Sequence, residues 1–321
     1  MKAIVQDTYG STDRLRLDDI DVPEPGAGEV LVRVRAAGVD RGVWHLMTGE
    51  PYLARLAFGL RRPRNQVPGM DVAGVVEKVG VGVTGFAVGD EVFGIGKGTY
   101  AEFAVAPAKK LALTPEGLSL EHAAAVPISG LTALQAVRDV GNVQPGQSVL
   151  VIGASGGVGT SAVQIATAAG AEVTGVCSTA KVDLVRAIGA AHVVDYTRDD
   201  IVELGTRYDV VIDIAGSRTL RQLRKVLAPK GTLVIVGGEG GRWLGGTERN
   251  LRAALWSPFI GQRMRAFISR ERGEDIERLA EMIAAGAVTP IVERTFPLAE
   301  TADAIRLLED GNARGKVVVT V

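Results

Sequence analysis

The chain has 321 residues, more than the roughly 100–200 expected of one domain, so we predict two domains. Its 36 basic and 37 acidic residues give a net charge of −1, and this balance favours neither nucleic acid nor a membrane as a partner. The single cysteine, Cys177, excludes an intrachain disulfide and any zinc site with two or more thiolates. It also favours a reducing compartment, so we expect a cytoplasmic protein.

The first third of the chain is predicted to form short β-strands broken by glycine and proline. Its N-terminus, MKAIVQDTYG, lacks the apolar stretch of a secretory signal. Segments such as EVLVRVRAAGV and DVAGVVEKVG follow, and turn signals such as PEPGAGE and AVGDE separate them. This pattern predicts a compact, antiparallel, barrel-like domain.

From about Leu120 the pattern changes to strands that alternate with helices. After the helical segment EHAAAVPISGLTALQAV, helical segments separate the strands from SVLVIG to GTLVIVGG. Such alternation is typical of βαβ units and a parallel sheet. The run from Val140 to Ala171 carries no charge, but polar residues and glycines interrupt it, so we expect a buried strand, turn and helix rather than a membrane span.

The sequence GASGGVG lies between the predicted strand SVLVI and a helix predicted to begin near Gly159. In a dinucleotide-binding turn, Gly156 would let the backbone approach a pyrophosphate, and Gly159 would let helix and strand pack closely. Ala154 replaces the first glycine of the usual G-x-G-x-x-G pattern, so the fingerprint is a variant. We predict cofactor contacts along this turn, from Ala154, Ser155, Gly156, Gly157, Val158 and Gly159.

The end of the next predicted strand, EVTGVCSTAK, indicates which dinucleotide is bound. NAD sites place a carboxylate here for the ribose hydroxyls, whereas this chain has Ser178, Thr179 and Lys181. Two hydroxyls and an ammonium favour a phosphate, so we predict NADP (NADPH) as the cofactor. An ordinary polar loop with a solvated lysine is the alternative interpretation.

Three known ways of stabilising oxygen charge during hydride transfer can be compared with the sequence. A catalytic zinc needs Cys, His and acid ligands, but the histidines, His45, His122 and His192, show no ligand spacing. No tyrosine is followed four residues later by lysine, as short-chain dehydrogenases require. Nothing indicates a flavin fold. We therefore predict that the chain binds no zinc.

Several segments, in order and over essentially the whole chain, resemble the zinc-free quinone oxidoreductase (zeta-crystallin-like) branch of the medium-chain dehydrogenase/reductase family. They are VPGMDVAGVVEKVGVGVTGFAVGDEVFG, AAAVPISGLTALQAV, GASGGVGTSAVQIA, CSTAKVDLVRAIGAAHVVDY and GKVVVTV. The resemblance implies an α/β protein: a GroES-like β-rich catalytic domain (1–122), a Rossmann doubly wound parallel sheet (123–265), and a C-terminal return to the catalytic domain (266–321). It also implies homodimers formed through edge strands of two Rossmann sheets.

Departures from the zinc-dependent relatives lie at the expected metal ligands. Those relatives carry a cysteine where Asp40 stands, and Gly-His-Glu where this chain has Gly69, Met70 and Asp71. Many members of the quinone reductase branch have Asn at the position of Asp40 and Tyr at that of His45.

The resemblance implies that Asp40 and His45 face the substrate. His45 is the one histidine that we expect to donate a proton or a hydrogen bond to the substrate oxygen, and packing beside Trp44 is the alternative. Lys316 would either reach the cofactor or be an exposed lysine at a strand edge. Further cofactor contacts implied by the resemblance are Thr132 at the nicotinamide ribose or amide, Tyr196 near the adenosine phosphate, and Val236 and Gly237 beside the nicotinamide.

Without a metal, quinones and α,β-unsaturated carbonyls accept a hydride more readily than plain ketones, because conjugation delocalises the resulting charge. We therefore expect an NADPH-dependent, zinc-independent oxidoreductase acting on a small quinone, enone or enal. One alternative is a zinc-free NAD(P)-dependent alcohol dehydrogenase, for which the sequence shows no evident base. Another is a low-turnover NADPH-binding or RNA-binding protein, but the scarcity of aromatic residues makes nucleic acid a poor match.

Two basic regions stand apart from these motifs. Arg61, Arg62 and Arg64 crowd a loop that contains proline, and seven arginines lie between Arg242 and Arg272. Both regions are predicted to be solvated faces, and the second could also border the cofactor cleft or a dimer surface.

Overall fold

The computed structural model describes residues 1–238, 243, 245–257, 260–311 and 313–321, without the side chain of Thr247. Arg242, the first arginine of the second basic region, therefore lies outside the described residues. Two compact units are present: a β-rich unit of Met1–Leu131, Glu271–Gly286 and Pro290–Val321, and an α/β unit of Thr132–Arg270 and Ala287–Thr289. These divisions fall after residues 131 and 270, whereas the sequence analysis expected them after residues 122 and 265.

The strands, in chain order, are β1 (Lys2–Val5), β2 (Arg16–Asp19), β3 (Glu29–Val39), β4 (Asp71–Val79), β5 (Glu91–Ile95), β6 (Phe103–Pro107), β7 (Leu111–Leu113), β8 (Ser148–Ile152), β9 (Glu172–Cys177), β10 (His192–Asp195), β11 (Tyr208–Asp213), β12 (Leu227–Ile235), β13 (Arg263–Ala266), β14 (Val292–Pro297) and β15 (Lys316–Thr320). The helices are α1 (Arg41–Thr48), α2 (Arg55–Phe58), α3 (Leu120–Ala124), α4 (Pro127–Gln135), α5 (Gly157–Ala168), α6 (Val182–Ala187), α7 (Leu220–Val226), α8 (Thr247–Trp256), α9 (Gly273–Ala284) and α10 (Thr301–Glu309).

The β-rich unit is built on a seven-stranded sheet in the order β14-β15-β3-β4-β5-β7, with β6 paired to β3. Its pairs are antiparallel except for β14 with β15. In β3, Val30, Val32 and Val34 are buried while Arg33 and Arg35 are exposed, because successive side chains of a strand point to opposite faces. The returning strand β15 pairs with β3, so the last residues of the chain complete this sheet.

The α/β unit contains a six-stranded sheet in the order β10-β9-β8-β11-β12-β13, and every pair in it is parallel. Its inner strands are almost continuously buried, as expected when helices cover both faces of a sheet. The predicted fold class, a GroES-like β-rich domain with a Rossmann parallel sheet, is confirmed. In the described part of the chain, no helix is both long and apolar enough to cross a membrane.

Candidate functional site

In the α/β unit, the carboxyl ends of β8, β11 and β12 meet in a surface made of backbone. β8 and β11 are neighbours although β9 and β10 lie between them in sequence, so the strand order reverses here. Open parallel sheets bind ligands outside the strand ends at such a switch point. A Cβ on Gly216 would lie 2.5 Å from the Cα of Gly238, and one on Gly237 would lie 1.9 Å from the oxygen of Ile214. Neighbouring backbone therefore excludes side chains from this surface.

The turn from β8 into α5 contains two glycines with different roles. A Cβ on Gly159 would lie 2.0 Å from the oxygen of Gly153, so close packing of helix on strand requires glycine there. A Cβ on Gly156 would meet nothing closer than 3.8 Å, so packing within the chain does not require glycine at that position. Gly156 caps α5, which begins at Gly157, two residues before the predicted start. Unpaired N–H groups and the helix dipole favour an anion in this open space.

The variant glycine pattern is accommodated by the neighbouring strand. Ala154 is fully buried, and its N–H donates to the oxygen of Val176, 3.0 Å away, at the end of β9. A Cβ on Gly175 of that strand would lie 3.0 Å from the Cβ of Ala154. Glycine in β9 thus provides the room that the alanine in the turn requires, and the turn keeps its geometry.

The residues predicted to recognise the adenosine phosphate lie at the adjacent ends of β9 and β10. Ser178 caps the short 3-10 turn Thr179–Lys181, and the N–H of Tyr196 donates to the oxygen of Cys177. The Thr179 hydroxyl donates to the carboxylate of Asp195, which lowers the pKa of Asp195. A carboxylate is therefore present near the predicted phosphate site, but it belongs to Asp195 on β10 and not to a residue of β9. The roles of Ser178, Thr179, Lys181 and Tyr196 at a 2′-phosphate stay predictions.

At the other end of the switch point, a buried ion pair supports the segment after β12. Asp213, fully buried at the end of β11, accepts hydrogen bonds from the N–H of Gly216 and from the guanidinium of Arg249. Arg249 also donates to the oxygen of Gly237 over 3.1 Å. The N–H groups of Val236 and Gly237 donate to the backbone oxygen of Asp213 over 3.0 and 3.1 Å. The position of the predicted nicotinamide contacts is thus fixed by a pair that sequence reasoning missed.

Two further predicted cofactor contacts, Thr132 and Lys316, form hydrogen bonds within their own units. The Thr132 hydroxyl donates to the hydroxyl of Ser269 over 3.2 Å within the α/β unit. Lys316 belongs to the β-rich unit, where it is only 3% exposed. The alternative interpretation of Lys316 as an exposed strand-edge lysine is therefore wrong, because the first residue of β15 points into the core of its unit.

In the β-rich unit, one role of Asp40 is to cap the helix α1. It follows β3, and its Oδ1 accepts a hydrogen bond from the N–H of Val43 over 3.1 Å, which satisfies an unpaired donor in the first turn of α1. The other oxygen, Oδ2, is buried and has no hydrogen-bond partner among the described residues. Asp40 therefore orients α1 with one oxygen and leaves the other for an electrostatic or ligand contact.

His45 lies on α1, which ends at Thr48 and is capped by Gly49. Its Nδ1 is 2.8 Å from the backbone oxygen of Glu50. A carbonyl oxygen can only accept, so Nδ1 carries the hydrogen, and in the neutral ring Nε2 is an acceptor. The ring also packs edge-on against Trp44, with 5.0 Å between centroids. Both interpretations from the sequence, packing and chemistry at Nε2, are compatible with this geometry.

Lys316 forms the centre of a buried charge cluster with Asp40 and Asp71. Its Nζ lies 2.7 Å from Oδ2 of Asp71 and 4.0 Å from Oδ2 of Asp40, and it donates to the hydroxyl of Ser129 over 3.1 Å. Oδ1 of Asp71 accepts a hydrogen bond from the N–H of Ile128. One ammonium thus faces two carboxylates in a region shielded from water.

Burial raises the pKa of Asp71 to about 6, with the Lys316 ammonium acting in the opposite direction and the charge of Asp40 adding to the rise. Burial likewise raises the pKa of Tyr100, whose hydroxyl donates to the oxygen of Gly38 over 3.2 Å. A Cβ on Gly38 would lie 2.5 Å from Oδ2 of Asp71, so glycine is required there for the cluster to close.

Sequence reasoning named Asp40 and Lys316 but not their association, and it missed Asp71 and Ser129 as members of one cluster. Their signal in the sequence is weak: an acid opens β4, whose next four residues are small or apolar, and a lone lysine opens β15. Among the described residues, no group of three or more His, Cys, Asp or Glu side chains is arranged to hold a metal ion.

Comparisons with known proteins agree over the whole chain. Residues 26–116 match the alcohol dehydrogenase GroES-like domain family, and residues 188–319 match the zinc-binding dehydrogenase family. The chloroplastic NADPH-dependent alkenal/one oxidoreductase of Arabidopsis thaliana is 34% identical, over 99% of this chain and 79% of that protein.

Two solved structures have the same fold. The quinone oxidoreductase from Coxiella burnetii has a TM-score of 0.88 and 29% identity, over 100% of this chain and 99% of that chain. The Escherichia coli quinone oxidoreductase complexed with NADPH has a TM-score of 0.85 and 25% identity, over 100% of both chains. This chain belongs to the medium-chain dehydrogenase/reductase family, in its quinone oxidoreductase branch, and the resemblance drawn from the sequence is confirmed.

Proposed function

We propose that the protein is an NADPH-dependent, zinc-independent oxidoreductase that reduces quinones or α,β-unsaturated carbonyl compounds. The observation that carries this proposal is the space beside Gly156, which the chain leaves open at the switch point of a parallel sheet without a packing reason. The names of the relatives support the substrate class: one is an alkenal/one oxidoreductase, and two are quinone oxidoreductases.

The residues of the α/β unit fit a dinucleotide. The backbone of the turn from Ala154 to Gly159 would hold the pyrophosphate, Ser178, Thr179 and Lys181 the 2′-phosphate, and Val236 and Gly237 the nicotinamide end. NADPH supplies a hydride when bound. Glycines at the strand ends permit the close approach that a flat ring requires, and the Asp213–Arg249 pair keeps their backbone in place.

In the β-rich unit, we assign His45 to the substrate oxygen. Its Nδ1 hydrogen is held by the Glu50 carbonyl, so the proton that an imidazolium could give is the one at Nε2. Asp40 positions this histidine, because its Oδ1 caps the helix that carries it. The ammonium of Lys316 supplies a cation of the chain's own between Asp40 and Asp71, which supports chemistry without zinc.

A second candidate function, oxidation of a secondary alcohol, is favoured by the same histidine. The sequence showed no evident base for this reaction, but the neutral ring of His45 presents an acceptor at Nε2. Conjugated acceptors and simple alcohols therefore have to be compared directly.

The assembly and location that we propose follow the sequence expectations. A homodimer would form through β13, which is an edge strand with one neighbour in the described sheet. A cytoplasmic location is supported by cysteine usage, because a chain with the single, buried cysteine Cys177 forms no intrachain disulfide.

The test is oxidation of NADPH, with NADH in parallel, against ortho- and para-quinones, medium-chain enals and simple ketones, with and without a chelator. We expect turnover of quinones or enals with NADPH, unchanged by the chelator. Oxidation of secondary alcohols with NADP⁺ in the reverse assay would favour the second function.

Binding of NADPH without turnover of any acceptor would overturn the assignment and favour a binding role. His45→Gln removes the titratable nitrogen and should lower kcat on quinones while KM for NADPH stays constant. His192→Gln, an exposed histidine paired with Glu172 in the α/β unit, is the matched control.

A further inference from the structure

The segment from Pro51 to Met70 carries a charge unlike that of the whole chain. It holds four arginines, Arg55, Arg61, Arg62 and Arg64, and no Asp or Glu, whereas the whole chain has a net charge of −1. Binding to a charged surface depends on the charges that lie within a Debye length of it. The sequence analysis expected no membrane partner because the basic and acidic residues of the whole chain balance. That balance does not describe this local surface.

One of these arginines anchors the segment to the fold. The guanidinium of Arg55 lies over the rings of Tyr9 and Tyr52, 4.5 Å from each centroid, and donates to the oxygen of Gly49 over 2.9 Å. The Tyr9 hydroxyl donates to the oxygen of Gly59 over 2.7 Å. These contacts hold the backbone of the segment to the fold, and most side chains between Leu53 and Gln66 are exposed.

Four large apolar side chains of the segment are exposed. Their exposed fractions are 52% for Leu53, 65% for Leu56, 46% for Phe58 and 68% for Leu60. Leu53 and Leu56 lie three residues apart on consecutive helical turns, so they point to the same side. Exposed apolar side chains gathered in one short segment are typical of an interaction surface.

The three other arginines adjoin these apolar residues. Arg61, Arg62 and Arg64 are exposed, and none of them forms an ion pair with a described residue. The N–H of Arg64 donates to the oxygen of Phe58 over 2.9 Å, so the loop folds back on α2. We call the seven side chains the basic–apolar face: Leu53, Leu56, Phe58, Leu60, Arg61, Arg62 and Arg64.

An open cavity of about 630 Å³ lies at the basic end of this face. Two of the three unpaired guanidinium groups, those of Arg62 and Arg64, line it. The complete lining is Arg62, Pro63, Arg64, Asn65, Gln66 and Val67. Guanidinium and amide donors around one opening suit a phosphate. None of the four exposed apolar side chains lines the cavity, so they stand beside the anion-binding groups and do not form a groove.

The four apolar side chains and the three arginines of the basic–apolar face together match one kind of binding partner. A soluble phosphate would use the arginines but leave the leucines and the phenylalanine in water, and an apolar peptide would leave the arginines unpaired. An anionic bilayer takes both, because apolar side chains enter the acyl boundary while guanidinium groups stay at the phosphates. We propose that the basic–apolar face docks the protein peripherally on an anionic phospholipid bilayer.

The experiment is flotation of the full chain with vesicles of phosphatidylglycerol mixed into phosphatidylcholine, and with vesicles of phosphatidylcholine alone. We expect binding to the anionic vesicles only, decreasing as salt is raised. Arg61→Glu with Arg62→Glu and Arg64→Glu should lower partitioning by about tenfold or more. Leu56→Ser with Leu60→Ser should lower it by about tenfold as well.

Matched controls come from the same unit. Val81→Ser with Val88→Ser removes apolar side chains of similar exposure outside the face, and Arg35→Glu reverses an exposed charge on β3. These variants should float as the unchanged chain does, and circular dichroism should show that every variant is folded.

Absence of flotation with anionic vesicles would overturn the proposal. So would equal flotation of the face variants and the controls, or a change of oligomeric state in the face variants without vesicles, which would mark a self-association surface. Because flotation needs neither NADPH nor turnover, this result is independent of the proposed enzymatic function.

Discussion

The switch point of the α/β unit and the charge cluster of the β-rich unit are built on opposite principles. The first is a backbone surface in which glycines exclude side chains and leave space at a helix N-terminus. The second is a set of buried side chains from distant parts of the chain, Asp40, Asp71, Ser129 and Lys316, which contact one another through opposite charges and a hydrogen bond. The comparison teaches that a ligand-binding site is recognisable by open space that packing does not explain. A structural or positioning cluster is recognisable by opposite charges that are buried together.

The largest expected effect is on the free energy of unfolding, and it tests whether Lys316 stabilises the two buried carboxylates of the cluster. Lys316→Met leaves Asp40 and Asp71 as buried carboxylates without a cation, so the free energy of unfolding at neutral pH should fall by about 3–5 kcal/mol. Urea denaturation of the full chain measures it. The control Lys109→Met, at an exposed lysine of the same unit, should change it by less than about 0.5 kcal/mol.

A second variant keeps this test decisive if Lys316→Met folds poorly. Asp71→Asn combined with Lys316→Met removes the buried charge together with its partner, so part of the lost stability should return. If the double variant were less stable than either single variant, the three groups would not act as one electrostatic cluster.

The next effect is the pH dependence of the same cluster. The pKa of Asp71 is raised from its ordinary value to about 6 by burial. Its contribution to stability is therefore fully present below its unfolded pKa of about 4 and is lost as pH rises to about 6. Over this range the unchanged chain should lose roughly 2–3 kcal/mol relative to Asp71→Asn.

Denaturation at several pH values gives this difference directly, because the carboxyl groups outside the cluster contribute equally to both proteins. Asp310→Asn, at an exposed carboxyl, is the control and should show no such difference. A difference that stays constant between about pH 4 and pH 6 would show that Asp71 is ionised throughout.

The two regions also differ in how far the sequence predicts them. The glycine turn is local: a strand, seven residues and a helix carry the whole signal. The position of the turn, with Gly156 at its centre, therefore follows from the sequence pattern. The alternation of Val32, Arg33, Val34 and Arg35 likewise predicts the buried face of β3. Even here the helix begins at Gly157 and not at Gly159, because the turn itself supplies the first helical residue.

The charge cluster is not local. Lys316 meets Asp71 only because β15 returns to pair with β3, which pairs with β4, and no pattern along the chain records that pairing. The same limit applies to Arg249, which meets Asp213 from a helix more than thirty residues further along. The capping role of Asp40 was within reach of the sequence, since an acid before a helix is a common signal.

The third effect compares two glycines of the turn: Gly156, where we expect the ligand to need the space, and Gly159, where packing needs it. Gly156→Ala adds a Cβ that meets nothing closer than 3.8 Å, so stability should stay within about 0.5 kcal/mol while NADPH binding weakens about tenfold or more. Gly159→Ala adds a Cβ 2.0 Å from a backbone oxygen and should lose stability before binding can be compared. Calorimetry with NADPH and thermal unfolding give both quantities. Unchanged affinity in folded Gly156→Ala would place the pyrophosphate elsewhere.

The smallest effect concerns the choice between the two dinucleotides. Thr179 already donates its hydroxyl to Asp195, so the 2′-phosphate would depend mainly on Lys181, with a carboxylate nearby that works against it. Lys181→Gln should therefore lower kcat/KM for NADPH by several-fold, up to about tenfold, and leave the value for NADH unchanged, because only one partly exposed charge pair is lost. Lys225→Gln, at an exposed lysine on α7, should alter neither value. A parallel fall with both cofactors would mean that Lys181 stabilises the loop and does not read the phosphate.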